Sequence, residues 1–163
     1  MKIYLTTGTG FGKTTLSAFD VALKDAGVNN FNLIVLSSVI PIGSEIVYEK
    51  LPVRDEDWGY KLYVVKADMR SRDSGRFIGA ALGWYQWGDG RGIFVEHEEI
   101  AETAESVRLN LEQELRDSVK DLCEDRGIEF DENKMGSKIN IAQVKEQPAC
   151  VLVVAAFKSE DWN

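Results

Sequence analysis

The order in which apolar runs of two different periods follow one another constrains this chain most. Six short runs read as strands: KIYLTT (2–7), FNLIVLSS (31–38), YKLYVVKAD (60–68), RGIFVEHE (91–98), KINIAQVK (138–145) and ACVLVVAAF (149–157). Two other stretches carry helical stripes. Over 14–26, Leu16, Phe19, Ala22, Leu23 and Ala26 recur at three- and four-residue spacing, and Gly27 is the stop. Over 98–125 the stripe is Ile100, Ala104, Val107, Leu111, Leu115, Val119 and Leu122, ended by Gly127. GRFIGAALGWY, near 75–85, predicts a third and shorter helix, and the polar KADMRSRDSGR (66–76) predicts a surface loop. The resulting order, β-α-β-β-(α)-β-α-β-β, places strands consecutively late in the chain. That disfavours a regular parallel βαβ sheet and predicts α+β layers.

A chain of 163 residues suits one domain, 1–163, with enough length to bury a core without staples. The two cysteines, Cys123 in a helical stripe and Cys150 in an apolar strand, read as core thiols. The only histidine is His97, and no Cys/His spacing suits zinc, so no metal is expected. A net charge of −8 argues against nucleic-acid and anionic-membrane partners. MKIYLTTG lacks the apolar core of a signal peptide and no apolar run approaches membrane length, so the cytoplasm is the expected location.

YLTTGTGFGKTTLSAF (4–19) has the look of a phosphate-binding loop. A P-loop needs a glycine, four residues, then Gly-Lys-Ser/Thr. Counting five back from Gly12 reaches Thr7, and Gly8 leaves the loop one residue short. Successive N–H groups must curl around one phosphate, so loop length matters. The simpler reading is a Gly-rich turn from strand to helix, with Lys13 and Thr14 starting the helix.

A second candidate is NNFNLIVLSSVIP (29–41), an apolar strand ending in Ser37-Ser38. Locally, two serines closing a strand before a turn are unremarkable, and no nucleophile elbow surrounds Ser38. The longer stretch LSAFDVALKDAGVNNFNLIVLSSVIP (16–41), however, resembles the N-terminal helix, Asn-containing strand and Ser-Ser cleavage site of pyruvoyl-dependent arginine decarboxylases, in that order. SEIV (44–47) fits as well, and GIFVEHE (92–98) resembles that family's strand with a catalytic glutamate. The long helix and ACVLVVAAF complete the likeness, which is most specific over 16–46.

The resemblance implies an αββα sandwich of the pyruvoyl-dependent decarboxylase type. It implies a homotrimer, or a dimer of trimers, with active sites between subunits. It further implies that Ser38 Oγ attacks the Ser37 carbonyl, splitting the chain into 1–37 and 38–163. Ser38 then becomes a covalent pyruvoyl group that replaces pyridoxal phosphate. Asn32 matches the processing asparagine, although it also reads as a solvent-facing strand residue. Glu96 matches the general acid, with Glu98 as the alternative; both could equally open an acidic helix N-terminus. Acid catalysis near neutral pH calls for burial of the carboxyl, and Glu96 shares a strand face with Phe94. Asp20, bordering the stripe of the first helix, is implied as the partner of the arginine guanidinium; an ion pair with Lys24 is the alternative. Ser37, Leu16 and Val39 are implied as lining the substrate site. The expected reaction is L-arginine to agmatine and CO₂. The alternatives are another basic amino acid as substrate, an uncleaved silent homologue, and a P-loop-like nucleotide-binding protein.

Overall fold

An unbroken apolar run such as 149–157 can face water on neither side, and it lies at the centre of the molecule. The computed structural model describes residues 1–163. In chain order its elements are β1 (Lys2–Phe11), α1 (Thr15–Ala26), β2 (Asn32–Val35), β3 (Val39–Ile40), β4 (Glu45–Val47), β5 (Lys61–Ser71), β6 (Phe77–Trp87), β7 (Arg91–Ala101), α2 (Ala104–Asp125), β8 (Gly136–Gln143) and β9 (Ala149–Glu160). Single 3-10 turns stand at Asp55–Asp57 and Glu132–Lys134. One sheet runs β2-β5-β9-β1-β4 and the other β3-β7-β6-β8. The β1–β4 and β2–β5 pairs are parallel and the remainder antiparallel.

β9 shows how the layers stack. Val151, Val153, Ala155 and Phe157 point between the sheets, where they meet Ile78, Leu82 and Phe94. Cys150, Leu152 and Val154 point the other way, onto Ala18, Ala22 and Leu23 of α1. On the far side, Val107, Leu111, Leu115 and Val119 of α2 cover Ala81, Ile93 and Val95. The order α1, sheet, sheet, α2 is the αββα sandwich the sequence led us to expect. Both cysteines are buried and free. No helix is long and apolar enough to cross a membrane.

The glycines after Leu5 do not form a turn. Gly8 and Gly10 are strand residues, paired with Leu152 and Cys150 of β9. Their role is to let α1 approach. A Cβ on Gly8 would stand 1.9 Å from the Ala22 carbonyl oxygen, and one on Gly10 would stand 2.1 Å from that of Ala18. The ladder with β9 and the covering helix leave this segment no free loop to wrap a phosphate, which removes the P-loop reading. The turn itself is short. Thr14 caps α1, its hydroxyl accepting the Ser17 N–H at 3.0 Å, and Gly27 closes the helix at φ 83°.

Three other expectations are corrected. The segment expected as a third helix is β6, a central strand between β7 and β8 and covered on both faces. A run apolar at nearly every position has no period by which helix and strand could be told apart. The expected loop at 66–76 is mostly strand, because β5 continues to Ser71. Lys66, Asp68 and Arg70 alternate onto the α1 side, where Arg70 stacks on the Phe19 ring at 3.6 Å. Polar residues at every second position fit a half-exposed strand as well as a loop. Finally, α2 starts at Ala104 and not at 98, since Thr103 is its cap and Glu98–Ala101 still pair with β6.

Gly8→Ala should destabilise the fold by about 2 kcal/mol or more, because the clash is with helix backbone and no side chain can swing aside. Urea unfolding of the variant against the parent measures this; an unchanged midpoint would contradict the close approach.

Candidate active site

The two sheets are joined along one edge of the sandwich. β2 is the outer strand of the first sheet and β3 the outer strand of the second, and only Leu36, Ser37 and Ser38 lie between them. Facing sheets stand about 10 Å apart and an extended residue spans about 3.3 Å, so three residues leave no slack. Both ends of the link are held. The Leu36 N–H donates to Val64 O, and Ser38 O accepts the Phe94 N–H, each at 2.8 Å. Between these anchors Ser38 adopts φ 71°, the only positive φ outside glycine. This region costs an L-residue about 1–2 kcal/mol and persists where the surroundings impose it.

Ser38 Oγ donates a hydrogen bond to Glu96 Oε1. Alternation along β7 puts half-buried Glu96 on the inter-sheet face with Phe94, and turns Val95 and His97 toward α2. The His97 Nε2 atom lies 2.8 Å from Ser118 Oγ of α2, and both residues line the same cavity as Ser38; the imidazole is engaged by Ser118 and makes no hydrogen bond to Ser38. Two residues further, Glu98 reaches the surface and does not meet Ser38. Desolvation of its carboxyl, and next the charge of Asp68, push it above the usual carboxylate range.

A cavity of about 490 Å³ opens at this link. That volume is in the range of small-molecule sites. Ser37, Ser38 and Glu96 form one rim. Val39 pairs with Ile93, which turns both side chains to the α2 face and into the cavity. The far wall is Ser118, Asp121, Leu122 and Arg126 of α2 and its cap.

Of the residues expected at the site, Ser37, Ser38, Val39 and Glu96 come together here. The others do not within one chain. Asn32 starts β2, exposed, with Nδ2 donating to Gly59 O at 2.7 Å. It precedes Ser37 by about 16 Å of extended strand. Asp20 and Leu16 lie exposed on α1, outside the lining of the cavity, and Asp20 makes no ion pair with Lys24. The wall from α2 was not foreseen. Its residues stand more than 80 positions after Ser37, and the only signal for them is their helical spacing beside the Leu115, Val119, Leu122 stripe.

A serine strained into the left-handed region with its hydroxyl on a carboxylate is an arrangement that other proteins can be compared against. The family description "pyruvoyl-dependent arginine decarboxylase" matches residues 2–161. The pyruvoyl-dependent arginine decarboxylase of Methanococcoides burtonii is 37% identical over 82 residues, 50% of this chain and 46% of that protein. That of Thermoplasma volcanium is 35% identical over 108 residues, 63% of this chain and 57% of its own. That of Methanocella arvoryzae is 28% identical over 148 residues, 89% of this chain and 84% of its own. The chain thus spans about half the length of the first two relatives and most of the third. Since the family match runs through both sheets and both helices as well as the Ser38–Glu96 pair, this chain belongs to the pyruvoyl-dependent arginine decarboxylase family.

Proposed function

We propose that this chain cuts itself between Ser37 and Ser38 and then decarboxylates L-arginine to agmatine. The observation that carries the reading is the pairing of a strained serine with a carboxylate at the mouth of a cavity. Glu96 accepts the Ser38 hydroxyl proton, so Oγ can attack the Ser37 carbonyl carbon. The Ser37–Ser38 C–N bond breaks, an ester forms, and the nitrogen of residue 38 becomes an amine. Release from φ 71° favours that step. Elimination at residue 38 then expels the Ser37 carboxylate, and water replaces the nitrogen, which leaves as ammonia. The residues fit the resulting group: Ser38 already lines the cavity, beside Glu96.

A pyruvoyl carbonyl at position 38 would supply covalent attachment for an amine and a sink for the electrons left by CO₂. The work left to the side chains is binding and proton transfer. Glu96 is the proton donor to the substrate Cα, on the same face from which it took the serine proton. Val39 offers apolar surface to the substrate stem, being 58% exposed in one chain.

Asn32 is the processing asparagine, and the guanidinium partner comes from a neighbouring copy in a homotrimer or dimer of trimers. Leu16 and Asp20 sit at i, i+4 on α1 and so present one face, an apolar side chain beside an unpaired carboxylate. A stem and a planar cation fit that pair. Leu16 is 69% exposed, as a surface awaiting a partner would be.

Intact mass measurement of purified protein tests the first step. Fragments 1–37 and 38–163 are expected, the larger blocked at its N-terminus. Ser38→Ala should leave one uncut chain; an uncut parent would favour a silent homologue instead. Glu96→Gln keeps an acceptor for the Ser38 hydroxyl but cannot donate an acidic proton. It should still be cut, though more slowly, while kcat falls by about 10²–10⁴. Turnover near the parent rate would remove Glu96 as the acid. Asp20→Asn should raise KM for arginine about tenfold or more and leave cleavage intact. Mixing inactive Ser38→Ala with Asp20→Asn chains should restore part of the lost affinity, because one copy supplies Asp20 and the other the cut site. Failure to complement after verified subunit exchange would place each site within one chain.

A further inference from the structure

Cleavage would create a full negative charge where the uncut chain has a neutral carbonyl. We propose that Arg126 is the seat of the new Ser37 carboxylate and holds the freed end of the small chain in the cavity wall. This rests on the self-cleavage reading above. Ser37 and Arg126 line the same cavity. Arg126 is its only arginine or lysine, while Glu96 and Asp121 are its carboxyl side chains. In the uncut chain the guanidinium makes one hydrogen bond, from Nη1 to Leu122 O at 3.0 Å, and pairs with no carboxylate. Four of its five N–H donors are therefore free, in the fork that matches a carboxylate.

Without that guanidinium the same wall would repel the new end. Arg126 caps the C-terminus of α2, where the last carbonyls carry partial negative charge, and Asp121 stands five residues before it. The reach is short, because the Leu36 N–H remains tied to Val64 O and only one residue extends beyond that anchor. Cutting removes the tether at Ser38 and lets the Ser37 carboxylate turn into the cavity. The pairing also serves the proposed substrate. A free guanidinium in the cavity repels a cationic amino acid, and the carboxylate that neutralises it arises only in the processed protein.

The cleaved protein can be challenged with a broad-specificity carboxypeptidase while the mass of fragment 1–37 is followed. Loss of Ser37 should be slow in the parent and roughly threefold or more faster in Arg126→Gln, the scale of one partly exposed ion pair. Arg126→Lys should lie between them, keeping the charge without the fork. Raising salt should speed trimming of the parent toward the Arg126→Gln rate, measured relative to a free peptide of the same C-terminal sequence. Equal trimming of parent and Arg126→Gln, or a parent rate indifferent to salt, would overturn the proposal. Absence of any 1–37 fragment would instead remove the cleavage reading on which it rests.

Discussion

The link from Leu36 to Ser38 is the constraint around which the site is built. It joins the outer strand of one sheet to the outer strand of the other across the gap that the core sets. Its length matches that gap, and both ends are pinned by backbone hydrogen bonds to the Val64 carbonyl and the Phe94 N–H. A link with no slack has to make its turn from one sheet to the other in dihedral angles, and it does so at Ser38. The large apolar cluster between the sheets holds the anchors apart, so packing energy sustains the local strain.

The same economy of space recurs on the outer face of the first sheet. Gly8 and Gly10 let α1 lie against β1 with helix carbonyls where side chains would otherwise stand. That contact fixes the face of α1 that carries Leu16 and Asp20, and it turns those residues outward. One chain therefore completes the Ser38–Glu96 pair but leaves a carboxylate and a leucine unpartnered on another surface. The division agrees with active sites built between copies.

Much of the cavity rim was legible in the sequence. Glu96 could be assigned to the face of Phe94 because a strand alternates strictly, and no tertiary contact changes that. Ser37, Ser38 and Val39 could be placed together because they are neighbours. The first helix could be bounded at Thr14 and Gly27 by caps that act within one turn. Where the sequence misled, the local signal was ambiguous. The run at 75–85 is apolar on both faces, so it has no period to read, and the glycines after Leu5 suit a turn as well as a close approach.

The sequence by itself determined the two amphipathic helix stripes, the ends of α1, the serine pair and the face of Glu96, because each depends on spacing within a few residues. Only the tertiary structure decided that the Ser-Ser peptide bridges two sheet edges, that Ser38 is held at positive φ, and that Arg126 and Asp121 wall the cavity. It alone separated Asp20 and Asn32 from Ser38 within the chain. These depend on residues far apart in sequence being fixed by a shared core, and no local pattern carries that distance.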